Sequence, residues 1–197
     1  RRNAVFPFTV YADRSGSSVY AGGQLREQDI KDHRLGRGKK MSNVKTGITL
    51  FSLGTPYLKG ELDLEGVIRT ASKMGAEGYE IVASQMIPSY PYVSDEFIDF
   101  INKCEQKYGI RPICYSANMD RGMLKDRDLT EDEMVARAVT DIISANKLGC
   151  TVMREQYLLS PGGLARLAPY AEAYNVRVGI EIHNPESPIT QSILDYV

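Results

Sequence analysis

From Lys45 onward the chain alternates short apolar runs with segments of helical period, and this alternation restricts the fold more than any other feature. Residues 47–53 read as a strand. Residues 64–75 follow as a helix, with Leu64, Val67, Ile68, Ala71 and Met74 at helical spacing before the stop at Gly75. Further strands are expected at 79–84, 111–116, 151–156 and 177–183. Further helices are expected at 94–108, from the capping-box signature Thr130-Glu-Asp-Glu133 to Gly149, at 163–174, and from Ser187 onward. Strands alternating with helices of this length imply right-handed parallel crossovers. Five units of roughly 30 residues match the rate at which a (β/α)8 barrel of about 250 residues is built. A doubly wound dinucleotide fold competes, but the loop after the first strand, Gly54-Thr-Pro-Tyr-Leu-Lys-Gly60, carries no G-x-G-x-x-G. The expectation is an α/β fold: a partial (β/α)8 TIM barrel of about five βα units, strands parallel, barrel not closed.

Such a ring leaves its fifth strand with an unpaired edge and its first strand without a closing neighbour, which favours self-association. Residues 1–40 lack sustained periodicity and are read as an irregular N-terminal extension, with 41–197 as the incomplete barrel. The extension holds one strand-like run, 4–12, and ends in the basic stretch Arg34-Leu-Gly-Arg-Gly-Lys-Lys40, which beside its glycines reads as a solvated linker. Met41 is taken as the native start; a loosely docked tail is the other reading of the segment before it.

The charge balance narrows the function. Formal net charge is −1, with both signs mixed along most of the chain, which argues against a nucleic-acid partner. No apolar run approaches a membrane span, so no membrane partner is expected. Cys104, Cys114 and Cys150 have no zinc-type spacing and read as buried, reduced thiols of a cytoplasmic protein.

Alternation along the strands selects the candidate site. In 177–183, Gly179, Glu181 and His183 point one way and Val178, Ile180 and Ile182 the other, ending at a proline-containing turn. Parallel barrels keep their active sites at that end of their strands. A carboxylate and an imidazole two residues apart there suit a metal ligand beside a proton-transfer or substrate-binding group. Arg154 and Gln156 share a face of the fourth strand, and Glu80 and Ser84 a face of the second. Two readings stand for Glu80: substrate binding, or neutralising a buried cation. Arg154 either pairs with Glu80 or Glu181, or holds a sugar hydroxyl or phosphate. Glu155 is expected to face the helices and form a salt bridge there. Asn118 lies at the right end to border the site. The aromatic loop 85–92 suits stacking or packing, and Tyr57 is read as packing.

These residues resemble those of the xylose isomerase-like TIM barrels, the sugar phosphate isomerase/epimerase superfamily. The resemblance spans about residues 45–197, the first five of that family's eight units. It is carried by Met74-Gly-Ala-Glu-Gly-Tyr-Glu80, Leu129-Thr-Glu-Asp-Glu-Met134, Lys147-Leu-Gly-Cys150 and Gly179-Ile-Glu-Ile-His-Asn-Pro185. Within the superfamily, residues 79–91 look like the alpha subunits of bacterial C-glycoside deglycosidases. The resemblance implies a divalent metal, Mn2+ first with Mg2+ or Zn2+ as alternatives. Glu181 matches its strand-five ligand, and His183 the catalytic histidine beside it. Glu80, Arg154 and Gln156 are then expected to bind substrate, a sugar or glycoside. The later ligands have no counterpart, because the sequence ends before them, and one carboxylate cannot hold a six-coordinate ion.

The implied function is a metal-dependent sugar isomerase or epimerase acting by proton abstraction next to a carbonyl, or a C-glycoside deglycosidase cleaving 3-oxo-glycosides, here as a fragment. The alternative is a non-catalytic remnant or subunit module completed by another chain. Either implies a second subunit or a homo-oligomer. A DNA-cleaving barrel has no support, since the visible site holds one histidine.

Overall fold

The computed structural model describes residues 9–11, 45–118, 124–156 and 159–181. Strands β1 (Thr9–Tyr11), β2 (Lys45–Thr49), β3 (Gly78–Val82), β4 (Arg111–Asn118), β5 (Val152–Gln156) and β6 (Arg177–Ile180) form one sheet in chain order. The pairings from β2 to β6 are all parallel. The main connecting helices are α2 (Leu64–Lys73), α4 (Asp95–Tyr108), α5 (Glu131–Lys147) and α6 (Pro161–Ala173), with the short helices α1 (Gly54–Leu58) and α3 (Ala83–Met86) lying beyond the ends of β2 and β3. Consecutive parallel order with helical crossovers puts the helices on one face. The sheet is an open parallel barrel wall.

One expectation fails at the leading edge. The first parallel strand does have a neighbour, because β1 pairs antiparallel with β2, Val10 opposite Thr46. Residues Thr9–Tyr11 of the extension thus occupy this edge of the sheet.

Side-chain chemistry explains the element ends. Ser94 accepts from Phe97 N at 3.2 Å to start α4, and Gly109, at φ 70°, ends it in a conformation that favours glycine. The Thr130–Glu133 capping box opens α5 as read from sequence. Helix α6 starts earlier than expected, with Ser160 as cap and Pro161 in the first turn. The first strand is shorter than expected. Thr49 Oγ1 accepts from Phe51 N, and the apolar run Leu50–Leu53 turns into a 3-10 helix instead of extending. The fifth strand is described only to Ile180, so Ile182, His183 and the helix expected from Ser187 lie outside the described residues.

The core lies between sheet and helices. Ile48, Tyr79, Ile81, Tyr115 and Met153 meet Val67, Ile68, Phe97, Ile101, Met134, Ala138, Ile142 and Leu167 from the helices. Each large aliphatic buried here contributes about 2 kcal/mol. Residues of opposite parity are thereby turned to the other, concave face. At the sheet's lower end a Cβ on Gly78 would meet Ile113 Cγ2 at 2.7 Å, so glycine permits the close approach of β3 to β4. Among the described residues no helix is long and apolar enough to cross a membrane.

Candidate active site on the concave face

Three strands and the residue after a fourth bring their polar side chains together. Ser116 on β4 is in register with Arg154 on β5, which is in register with Gly179 on β6. Glu181 follows Gly179 at the same parity. Its N–H donates to Glu155 O at 2.9 Å, which carries the ladder past the strand's assigned end. Glu80 on β3 is opposite Cys114.

Arg154 is the hub. Its Nε lies 2.6 Å from Glu80 Oε1, a close ion pair without an aligned hydrogen bond from that N–H. One terminal nitrogen, Nη1, donates to Glu181 Oε2, and the other, Nη2, to Ser116 Oγ. A planar guanidinium has the donors for three such partners at once, and lysine has not the geometry. The Cys114 thiol adds a weak contact to Glu80 Oε1 at 3.8 Å. Glu80 is 5% exposed, and burying its carboxylate without Arg154 would cost several kcal/mol.

Sequence reasoning left open whether Arg154 pairs with Glu80 or with Glu181; it pairs with both. The structure thus brings together Glu80, Arg154 and Glu181, and adds Ser116. Gln156 ends β5 in register with Asn118. His183 lies outside the described residues. Two carboxylates meet one guanidinium, which disfavours an anionic ligand such as a phosphate group among the described residues. The same residues do not fit a resident metal. No group of three or more His, Cys, Asp or Glu able to hold an ion occurs among them, and Glu181 is engaged by Arg154. The loops above the strand ends expose Phe51, Leu58 and Tyr92 at the rim. Tyr57 packs against the core, as expected.

Glu155 requires a correction. It faces the helices as expected, but among the described residues it forms no salt bridge: it is 1% exposed and both carboxylate oxygens lack hydrogen-bond partners there. Burial, and secondarily the nearby charge of Asp141, push its carboxyl up to about 9. It is therefore protonated at neutral pH. Its neighbour Asp141 on α5 was missed. Asp141 interrupts the apolar stripe of Met134, Val135, Ala138, Ile142 and Ala145, and an acid on such a stripe is the signal that would have found it. All three cysteines are buried and none forms a disulfide; burial raises the thiols of Cys104 and Cys150, as inert structural residues require.

No family model matches the chain. It is 35% identical over 156 residues to a C-glycoside deglycosidase alpha subunit of Arthrobacter globiformis, covering 78% of this chain and 44% of that protein. It is 33% identical over 144 residues to a 3'-dehydrocarminate deglycosidase alpha subunit of a Microbacterium species, covering 73% and 41%. The chain thus spans less than half the length of these curated relatives. Among solved structures, a sugar phosphate isomerase/epimerase from Parabacteroides distasonis superposes with TM-score 0.55 at 14% identity, over 81% of this chain and 64% of that one. The IOLI protein, in a structure with a bound zinc atom, gives 0.52 at 17% identity, over 69% and 53%. In sequence the chain is similar to C-glycoside deglycosidase alpha subunits over less than half of their length, and in fold it is an unclosed part of a TIM barrel.

Proposed function

We propose that this chain carries part of the active site of a C-glycoside deglycosidase-type enzyme, which cleaves a 3-oxo-glycoside by taking a proton next to its carbonyl. One observation carries the reading: Glu80, Arg154 and Glu181 converge on the concave face of a chain 35% identical over 156 residues to such a subunit. Arg154 orients both carboxylates, Ser116 fixes the guanidinium, and Glu80, Arg154 and Gln156 receive sugar hydroxyls. His183, two residues beyond Glu181, moves the proton. Removing the proton alpha to the carbonyl leaves an electron pair that forms a carbon–carbon double bond. The bond to a carbon aglycone beta to the carbonyl then breaks, and the aglycone carbon takes a proton. Without such a leaving group, reprotonation gives isomerisation or epimerisation. A divalent metal, Mn2+ in preference to Mg2+ or Zn2+, belongs to this reading only with ligands beyond Glu181 supplied from outside the described residues. The three buried cysteine thiols support a cytoplasmic location.

The test joins this chain to the remaining barrel strands of the Arthrobacter relative and follows aglycone release from 3-oxo-C-glycosides, with Mn2+ present. Turnover that Glu181→Ala and His183→Ala abolish supports the reading; full turnover in Glu181→Ala overturns it. Among the described residues β6 pairs with β5 alone, which favours a second reading, a non-catalytic module completed by another chain. Stable association with the added strands without turnover would select it.

A further inference from the structure

Beneath the sheet, on the helix side and away from the candidate site, a buried charge cluster connects β4, α5, β5 and the rim loop 87–93 that follows α3. Tyr115 Oη donates to Asp141 Oδ1 at 2.9 Å, and Arg137 Nε lies 3.9 Å from Asp141 Oδ2, one helical turn back. The Arg137 guanidinium sits over the Tyr90 ring, 4.3 Å from its centroid. Ser144 Oγ, on the same helix, donates to Pro91 O at 2.9 Å, and Tyr90 Oη reaches Asn118 O at 3.5 Å. The loop is therefore held by two side chains of α5, and one of them shares its charge with a fully buried aspartate.

We propose that Arg137 and Asp141 are positioning residues for the rim loop 87–93, and that loss of the Asp141 proton loosens it. The groups facing Asp141 are Tyr115 from β4, Arg137 from its own helix, Tyr90 from the loop and Glu155 from β5. Among the described residues Arg137 is the one cation in this cluster, against the two carboxyls of Asp141 and Glu155. Asp141 Oδ2 and Arg137 Nε both lack hydrogen bonds, so the ion pair is loose and desolvation goes largely uncompensated. Burial accordingly pushes Asp141 up to about 7, opposed by its hydrogen bond with Tyr115 and by Arg137. Lifting Tyr90 and Arg137 admits water to the carboxylate and returns it toward its ordinary value near 3.8. The closed loop thus binds more protons than the open one. Linkage then makes opening more favourable as pH rises from about 4 to about 7, by as much as tenfold per unit. The inference concerns loop order alone and is independent of what the concave face binds.

Hydrogen exchange of the intact protein at pH 5 and pH 7, corrected for intrinsic rates, tests it. Protection of the Tyr90 and Tyr92 amides, which donate to Ile87 O and Ser89 O, is expected to fall at least tenfold relative to β3 and β4 amides. Asp141→Asn keeps an acceptor for Tyr115 and should hold the loop near its pH 5 protection at both values. Arg137→Met should loosen the loop at both. The proposal is overturned if the wild-type loop shows no change between the two pH values, or if the change persists in Asp141→Asn. It also fails if Arg137→Met leaves loop protection intact, an arm that decides the matter should Asp141→Asn not fold.

Discussion

Replacing Glu155 by Met, close in length and shape, is expected to stabilise the protein, and more so at neutral than at acid pH. The side chain is 1% exposed, both oxygens are unpartnered among the described residues, and its carboxyl is raised from 4.5 to about 9. In the unfolded chain the group is ionised at pH 7, whereas the native state must hold a proton. The 2.5 units between 4.5 and 7, at 1.36 kcal/mol each, set the penalty at about 3 kcal/mol. The sign follows from proton binding. The native state binds more protons than the unfolded one above pH 4.5, so wild-type stability falls as pH rises from there to about 9. Below pH 4.5 only the smaller cost of an unpaired neutral acid remains, about 1–3 kcal/mol. Urea unfolding followed by circular dichroism at pH 4, 7 and 9 measures the difference. For a chain of this length the gain at pH 7 corresponds to roughly 6–12 °C in Tm. A Glu155→Met variant no more stable than wild type at pH 7, or equally shifted at all three pH values, would refute the claim that the acid is buried without a partner.

Arg154→Met leaves the Glu80 carboxylate buried without its cation, and a loss of about 3–5 kcal/mol is expected in the same unfolding assay. Arg154→Lys should restore only part of it, because one ammonium cannot serve Glu80, Glu181 and Ser116 together. Gly109→Ala forces a Cβ into φ 70° and should cost about 1 kcal/mol, read as a lower urea midpoint at unchanged slope. Cys104, Cys114 and Cys150 should react with a thiol reagent only at the rate of unfolding; modification within seconds in native buffer would contradict their burial.

The parallel wall was legible because its signals are local. Ser94, the Thr130–Glu133 box and Gly109 each announce a helix end through neighbours a few residues away. Alternation correctly placed Glu80, Arg154 and Glu181 on one face. What it could not supply was a partner list. The three-way engagement of Arg154 depends on the register of strands 27 to 74 residues apart in sequence, so pairing with both acids was not separable from pairing with one. Glu155 was assigned the right face and the wrong neighbourhood: whether a cation meets it depends on how α5 and α6 seat on the sheet. The apolar run Leu50–Leu53 misled in another way, since hydrophobicity suits a buried turn of helix as well as a strand, and here the Phe51 N–H donates to Thr49 Oγ1 to cap the helical turn.

The antiparallel strand Thr9–Tyr11 turns completion of the ring into a substitution. A sheet margin seats one neighbour, so any parallel segment arriving beside Lys45–Thr49 must first evict those three residues. Their few ladder bonds, each worth about 1 kcal/mol net, make a light latch that a longer strand displaces readily. As long as it is seated the latch shields the margin from indiscriminate pairing; where a longer strand displaced it, faster proteolysis at residues 9–11 would report the exchange.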